Sequence, residues 1–102
     1  MKIYIAGPYS SAPEENTQRA IEYGLELMAR GHSPYVPHLT HFMDVAANKR
    51  GQPVPYERWL ELDNEWLPIC DELHRLPGES SGSDEEVALA EKLGIPVVYV
   101  SV

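Results

Sequence analysis

Two carboxylates stand where carboxylates are unusual. Glu86 lies in Ser80-Ser81-Gly82-Ser83-Asp84-Glu85-Glu86, a small polar turn that opens a helix after an apolar segment. A helix N-terminus offers free N–H groups and partial positive charge, which favours phosphate and keeps a carboxylate ionised. Asp63 belongs to a different helix. Tyr56, Trp59, Leu60, Asp63, Trp66 and Leu67 recur at helical spacing, the pattern of a buried stripe. Asp63 is the one carboxylate on that stripe, and a charge buried there must be paired, protonated or in use. The turn at 80–86 thus places a candidate nucleophile, Glu86, beside a candidate phosphate seat. Each residue also has a plainer reading. Ser83-Asp84-Glu85-Glu86 fits a capping box, with Ser83 at the N-cap and Glu86 at N3. Asp63 could be satisfied by backbone donors or a nearby arginine.

The elements that must position these groups can be read along the chain. Residues 2–6 form a short β-rich run ending at Gly7-Pro8. A helix spans 13–30: Pro13 suits its first turn, Glu14 and Glu15 its dipole, and Gly31 its stop. Ala20, Ile21, Gly24, Leu27 and Met28 give it a buried stripe. Ser33-Pro34-Tyr35-Val36-Pro37 reads as a short edge strand. Residues 38–47 allow partial helix and Asn48–Pro53 is loop by composition, and a connection of the length of 38–55 is often a lid or binding loop. A helix follows at 55–69, a third strand within 70–76, a helix at 84–93 and a last strand at 96–101. This order predicts one α/β domain over residues 1–102, a small doubly wound parallel sheet of four to five strands, flavodoxin- or Rossmann-like, with helices on both faces. In such a sheet ligands bind where a strand end meets a helix start, which is where Glu86 falls.

Composition narrows the partners. The chain has 102 residues, enough for one domain, and its hydrophobic content of 43% is ordinary for a globular protein. A formal net charge of −8 argues against a general nucleic-acid or anionic-membrane surface, though a small anion needs only local donors. Cys70 is the only cysteine, so no intrachain disulfide or cysteine-rich zinc site is expected, and a reducing cytoplasm fits. No apolar run approaches membrane-spanning length, and the apolar part of the N-terminus is short for a signal peptide.

Ser80-x-Gly82-x-x-x-Glu86-x-x-x-Ala90, followed by Gly94-Ile95-Pro96-Val97, resembles the signature of the nucleoside 2-deoxyribosyltransferase superfamily. Its closest branch in pattern is the 2′-deoxynucleoside 5′-phosphate N-hydrolases. Ile3-Tyr4-Ile5-Ala6-Gly7-Pro8 looks like that superfamily's first strand and loop, and Asp63-x-x-Trp66-Leu67 like the helix carrying its second carboxylate. The resemblance covers nearly the whole chain. It implies an N-glycosidase or deoxyribosyltransferase-like enzyme, hydrolase before transferase, acting on a nucleoside or nucleoside 5′-monophosphate without cofactor or metal. By the same resemblance Glu86 is the nucleophile, Asp63 the proton donor and Tyr4 the residue that positions Glu86. Ser80 and Gly82 would hold the 5′ end, joined by Gly7, Pro8 and Ser10 of the first loop and by His38 near the sugar or base. The resemblance also implies a homodimer or higher homo-oligomer. The branch carries an Arg- and Gly-rich first loop, whereas Pro8-Tyr9-Ser10-Ser11-Ala12-Pro13 has no basic residue. Two other readings stay open: a non-catalytic nucleotide-binding module, and a glycohydrolase of a larger, NAD-like nucleotide.

Other signals are weaker. His38-x-x-His41-x-x-Asp44 has helical spacing but no further ligand, so no metal site is expected. Trp59 and Trp66 read as core. Cys70 to Arg75 is one residue short of a phosphatase loop, and Asp71 and Glu72 oppose phosphate there. Gly78, Gly82 and Gly94 make no dinucleotide fingerprint.

Overall fold

The computed structural model describes residues 1–101. Its elements run β1 (Lys2–Ala6), α1 (Pro13–Ala29), β2 (Ser33–Tyr35), α2 (Thr40–Lys49), α3 (Tyr56–Trp66), β3 (Glu72–Arg75), α4 (Ser81–Lys92) and β4 (Val97–Tyr99), with 3-10 turns at Pro37–Leu39 and Leu67–Ile69. The sheet order is β2-β1-β3-β4, and every pairing is parallel. This is the doubly wound α/β fold expected from the element order. The chain leaves β1 toward β2 on one side and crosses to β3 on the other. The crevice beyond the C-terminal ends of β1 and β3 is therefore the topological switch point.

Side-chain alternation along β1 assigns the two faces. Ile3 and Ile5 pack with Ala20 and Leu27 of α1 and with Leu76. Tyr4 and Ala6 pack with Leu67, Leu73, Val87 and Ala90 on the opposite face, under α4. α1 can lie close to β2 because Gly24 has no side chain: a Cβ there would meet Val36 Cγ2 at 3.1 Å. His74, buried on β3, is satisfied by Tyr23 at 2.5 Å and Glu72 at 2.9 Å.

Three expectations need correction. The 38–55 segment is not mainly loop. It holds the 3-10 turn and the ten-residue α2, leaving only 50–55 irregular. α2 buries no residue, and Phe42 and Met43 are each 58% exposed, so no apolar stripe announces it. The α3 stripe is real but not fully buried. Leu67 is buried, Trp59, Leu60 and Asp63 are partly so, and Tyr56 and Trp66 are 60% and 45% exposed. Trp66 is no deep core residue; it stacks on the Tyr35 ring at 5.7 Å. Finally, α4 starts three residues earlier than predicted. Its N-cap is Ser80, whose Oγ accepts the Ser83 backbone N–H at 3.1 Å, so Glu86 sits in the second turn and caps nothing.

Candidate active site

The β1–α1 loop and the β3–α4 turn meet at the switch point. Gly78 has φ +116°, a conformation open to glycine, and its bare Cα lies against the Pro8 ring: a Cβ there would come within 2.8 Å of it. Arg75, at the end of β3, fixes the turn from below. It is 7% exposed, donates to the carbonyls of Leu76 and Gly78 (3.0 Å to the latter) and pairs with Asp84 of α4 at 3.1 Å. Nothing in the sequence marks Arg75 for this task.

Above this floor opens a cleft of about 390 Å³. α2 supplies Thr40 and Asp44 to its wall, α3 supplies Tyr56, Trp59, Leu60 and Asp63, and α4 supplies Ser81, Gly82, Ser83 and Glu86. Gly7, Ser10, His38 and Ser80 also line it. Pro8 does not line it; its ring packs on Gly78 and its carbonyl accepts from His38. Part of the open space at Gly82 is taken by the Tyr56 hydroxyl, 3.2 Å from where a Cβ would stand.

Glu86 and Asp63 reach this cleft from different helices. The Tyr4 hydroxyl, from the middle of β1, donates to Glu86 Oε2. The Tyr35 hydroxyl, from the neighbouring strand, donates to Asp63 Oδ1 at a long 3.4 Å. Tyr4 and Tyr35 are partners in the parallel register, with ring centroids 5.5 Å apart. Each carboxyl thus has its own tyrosine donor. Sequence reasoning assigned Tyr4 and missed Tyr35, although alternation along 33–36 puts Tyr35 on the face opposite Val36 and so beside Tyr4.

The electrostatics differ from expectation. Glu86 is too far into α4 for the helix end to hold it ionised. Burial pushes its carboxyl up to about 7; the Tyr4 hydrogen bond and the Arg75 charge pull down, while the charge of Asp63 adds to the rise. Burial raises Asp63 to about 6, against the pull of the Tyr35 hydroxyl. Both tyrosine hydroxyls are themselves pushed up, first by burial and then by these carboxylates, and stay protonated donors. His38 is buried. Its Nε2 faces the Gly7 and Pro8 carbonyls at 3.2 and 3.0 Å and so carries the proton, while burial pulls its pKa down and keeps the ring neutral. His41 Nδ1 is taken by the Tyr9 hydroxyl at 2.8 Å. His38, His41 and Asp44 do not converge, and among the described residues no three such side chains are grouped to hold a metal.

Ser80 has its hydroxyl engaged at both ends. It accepts from the Ser83 N–H and donates to Ser83 Oγ at 2.9 Å. Its first duty is to start α4. Ser80→Ala is expected to destabilise the unliganded protein by about 1 kcal/mol, read as a lower urea midpoint. An unchanged midpoint would show that the cap contributes nothing and free the serine for ligand alone.

The chain is thus a small α/β domain, a doubly wound sheet whose switch-point cleft holds two raised, tyrosine-bonded carboxyls. Residues 1–100 match the family described as a domain of unknown function, DUF7768, and the chain belongs to that family. No curated protein matches the sequence. Among solved structures, the fold is similar to that of a 2-deoxyribosyltransferase from the psychrotolerant bacterium Bacillus psychrosaccharolyticus, described as a biocatalyst for the synthesis of antiviral and antitumoral nucleosides. The TM-score is 0.68 at 20% identity, over 97% of this chain and 71% of that one. At that identity the likeness is one of fold. No helix among the described residues is long and apolar enough to cross a membrane.

Proposed function

We propose that the cleft cleaves or transfers the N-glycosidic bond of a nucleoside. The observation that carries this reading is the pair of raised carboxyls, each with a tyrosine donor, in one switch-point cleft. Glu86 attacks the anomeric carbon, and the C–N bond breaks with its electron pair passing to the base nitrogen. That nitrogen takes the proton of Asp63. The glycosyl ester on Glu86 is then resolved by water or by a second base, with Asp63 as the proton acceptor. Two carboxyls of unequal role are the usual solution for a transition state with oxocarbenium character. The volume lies near the low end of ligand pockets, roughly 300–1,000 Å³, and so favours a nucleoside over a dinucleotide. No lysine or arginine lines the cleft, while Asp44, Asp63, Glu79 and Glu86 do. A free 5′-hydroxyl fits this field better than a 5′-phosphate, and with it a transferase better than a nucleotide hydrolase.

A second reading, the monophosphate N-hydrolase, is favoured by the run of Ser80, Ser81 and Ser83 at the α4 N-terminus facing Ser10 and Ser11. One screen separates the two. Protein of measured oligomeric state is incubated with nucleosides and their 5′-monophosphates, ribo and deoxy, with and without a second base, and free base is followed by liquid chromatography. Exchange from free nucleosides supports the first reading, and base released only from monophosphates supports the second. Ligand binding without any turnover would leave a nucleotide-binding module.

Turnover requires one proton on the pair, with Glu86 ionised and Asp63 protonated; because Glu86 has the higher pKa, this is the minor of the two singly protonated forms. With the two carboxyls at about 7 and about 6, kcat/KM is expected to peak between these values and to fall on both sides. A profile flat across that window would remove this pair from the chemistry.

A further inference from the structure

We propose that Tyr35 is a positioning residue for Asp63, the counterpart of Tyr4 at Glu86, and that its hydroxyl serves the carboxylate Asp63 becomes after giving up its proton. The inference rests on the reaction proposed above, but its central observation does not.

β2 is a three-residue edge strand. Pro34 and Val36 turn toward Gly24 of α1. Alternation therefore sends Tyr35 to the other face, beside Tyr4. Its ring is held between two others, Tyr4 at 5.5 Å and Trp66 at 5.7 Å with planes only 22° apart. A ring clamped in this way has little freedom to redirect its hydroxyl, and the hydroxyl ends at Asp63. Asp63 lies in a different helix from Glu86, and the Tyr35 hydroxyl is the donor the fold brings to it. Its O–H stays protonated because burial and the facing carboxylates oppose its ionisation.

The reaction moves one negative charge from Glu86 to Asp63. Before attack Glu86 is the carboxylate and Asp63 holds the proton. After attack Glu86 is a neutral ester, the leaving base has the proton, and Asp63 is the carboxylate. Tyr4 supports the first arrangement and Tyr35 the second. The contact stands at a long 3.4 Å. An ionised Asp63 accepts more strongly and draws the hydroxyl closer.

The test uses protein labelled with carboxyl-13C aspartate and glutamate, titrated by NMR, with Asp63 assigned through Asp63→Asn and Glu86 through Glu86→Gln. Tyr35→Phe keeps the ring and its stacking and deletes only the hydroxyl. The Asp63 midpoint is expected to rise by roughly one pH unit while the Glu86 midpoint stays. Tyr4→Phe is expected to do the reverse. With a nucleoside substrate, Tyr35→Phe is expected to lower kcat about tenfold with little change in KM. A Tyr35→Phe protein that folds and titrates Asp63 as the parent does overturns the proposal. An expected titration shift in a protein that turns over no nucleoside keeps the Tyr35–Asp63 donor role and overturns the reaction assigned to the cleft, together with the charge movement built on it.

Discussion

Glu86→Gln is expected to give a protein more stable than its parent by about 3 kcal/mol above neutral pH, and without activity. Glu86 is held at about 7 in the folded chain against an ordinary 4.5, chiefly by burial. Between these values the folded state keeps a proton that the unfolded chain gives up. The native state therefore bears no penalty below about pH 4.5, loses stability as the pH rises toward 7, and carries the full cost above it. Glutamine is neutral throughout, and its amide oxygen still accepts the Tyr4 hydroxyl. Urea unfolding at about pH 5 and about pH 8 should show parent and variant close together at the first and well separated at the second. An equal gap at both would mean that Glu86 is not a strained buried carboxyl. The same variant has no nucleophile, and base exchange should fall by at least ~10³-fold. A site that stores a few kcal/mol of electrostatic strain for function is a familiar trade. Loss of activity with unchanged ligand binding would separate the enzyme from a mere binding module.

Asp63→Asn should have an effect that depends on the leaving group. An amide gives no proton, so release of an ordinary neutral base is expected to slow by ~10²–10⁴-fold. A base made cationic by N-alkylation departs as a neutral molecule and needs no proton. Its release should be nearly as fast in Asp63→Asn as in the parent. Burial of Asp63, raised to about 6, is what equips it to act as an acid near neutrality. Comparable losses on both substrate types would assign Asp63 to binding or to structure. The Glu86 and Asp63 variants together thus distinguish the two carboxyls by role.

Much of this arrangement was legible in the residues. Pro13, Glu14, Glu15 and Gly31 bracket α1 because helix ends have their own chemistry, which needs no tertiary contact. The parallel order followed from strands alternating with helices. Asp63 stood out because one acid among Trp59, Leu60 and Leu67 breaks a pattern. Other features depended on contacts between distant segments. α2 covers only a mainly polar face, Thr40, His41, Asp44 and Ala47, so its large apolar residues, Phe42, Met43 and Val45, follow no buried stripe. Ser80, Ser81 and Ser83 can each cap a helix. The choice of Ser80 is made where Gly78 meets Pro8 and Arg75 holds the turn. Alternation along 33–36 sets the face Tyr35 takes, but not which strand lies beside it. Its meaning came only from the register with Tyr4.

The unequal burial of the elements has a consequence for local opening. β1, β3 and the inner faces of α1 and α4 supply most of the buried core, while α2 and α3 bury no residue of their own. Amide hydrogens of β1 and β3 should exchange with solvent only in global unfolding, and those of α2 and α3 through cheaper, local excursions. Glu86 and Tyr4 belong to the slow-exchanging unit and Asp63 to the fast one. A brief melting of α3 would carry the proton donor away from the nucleophile while the floor of the cleft stays folded.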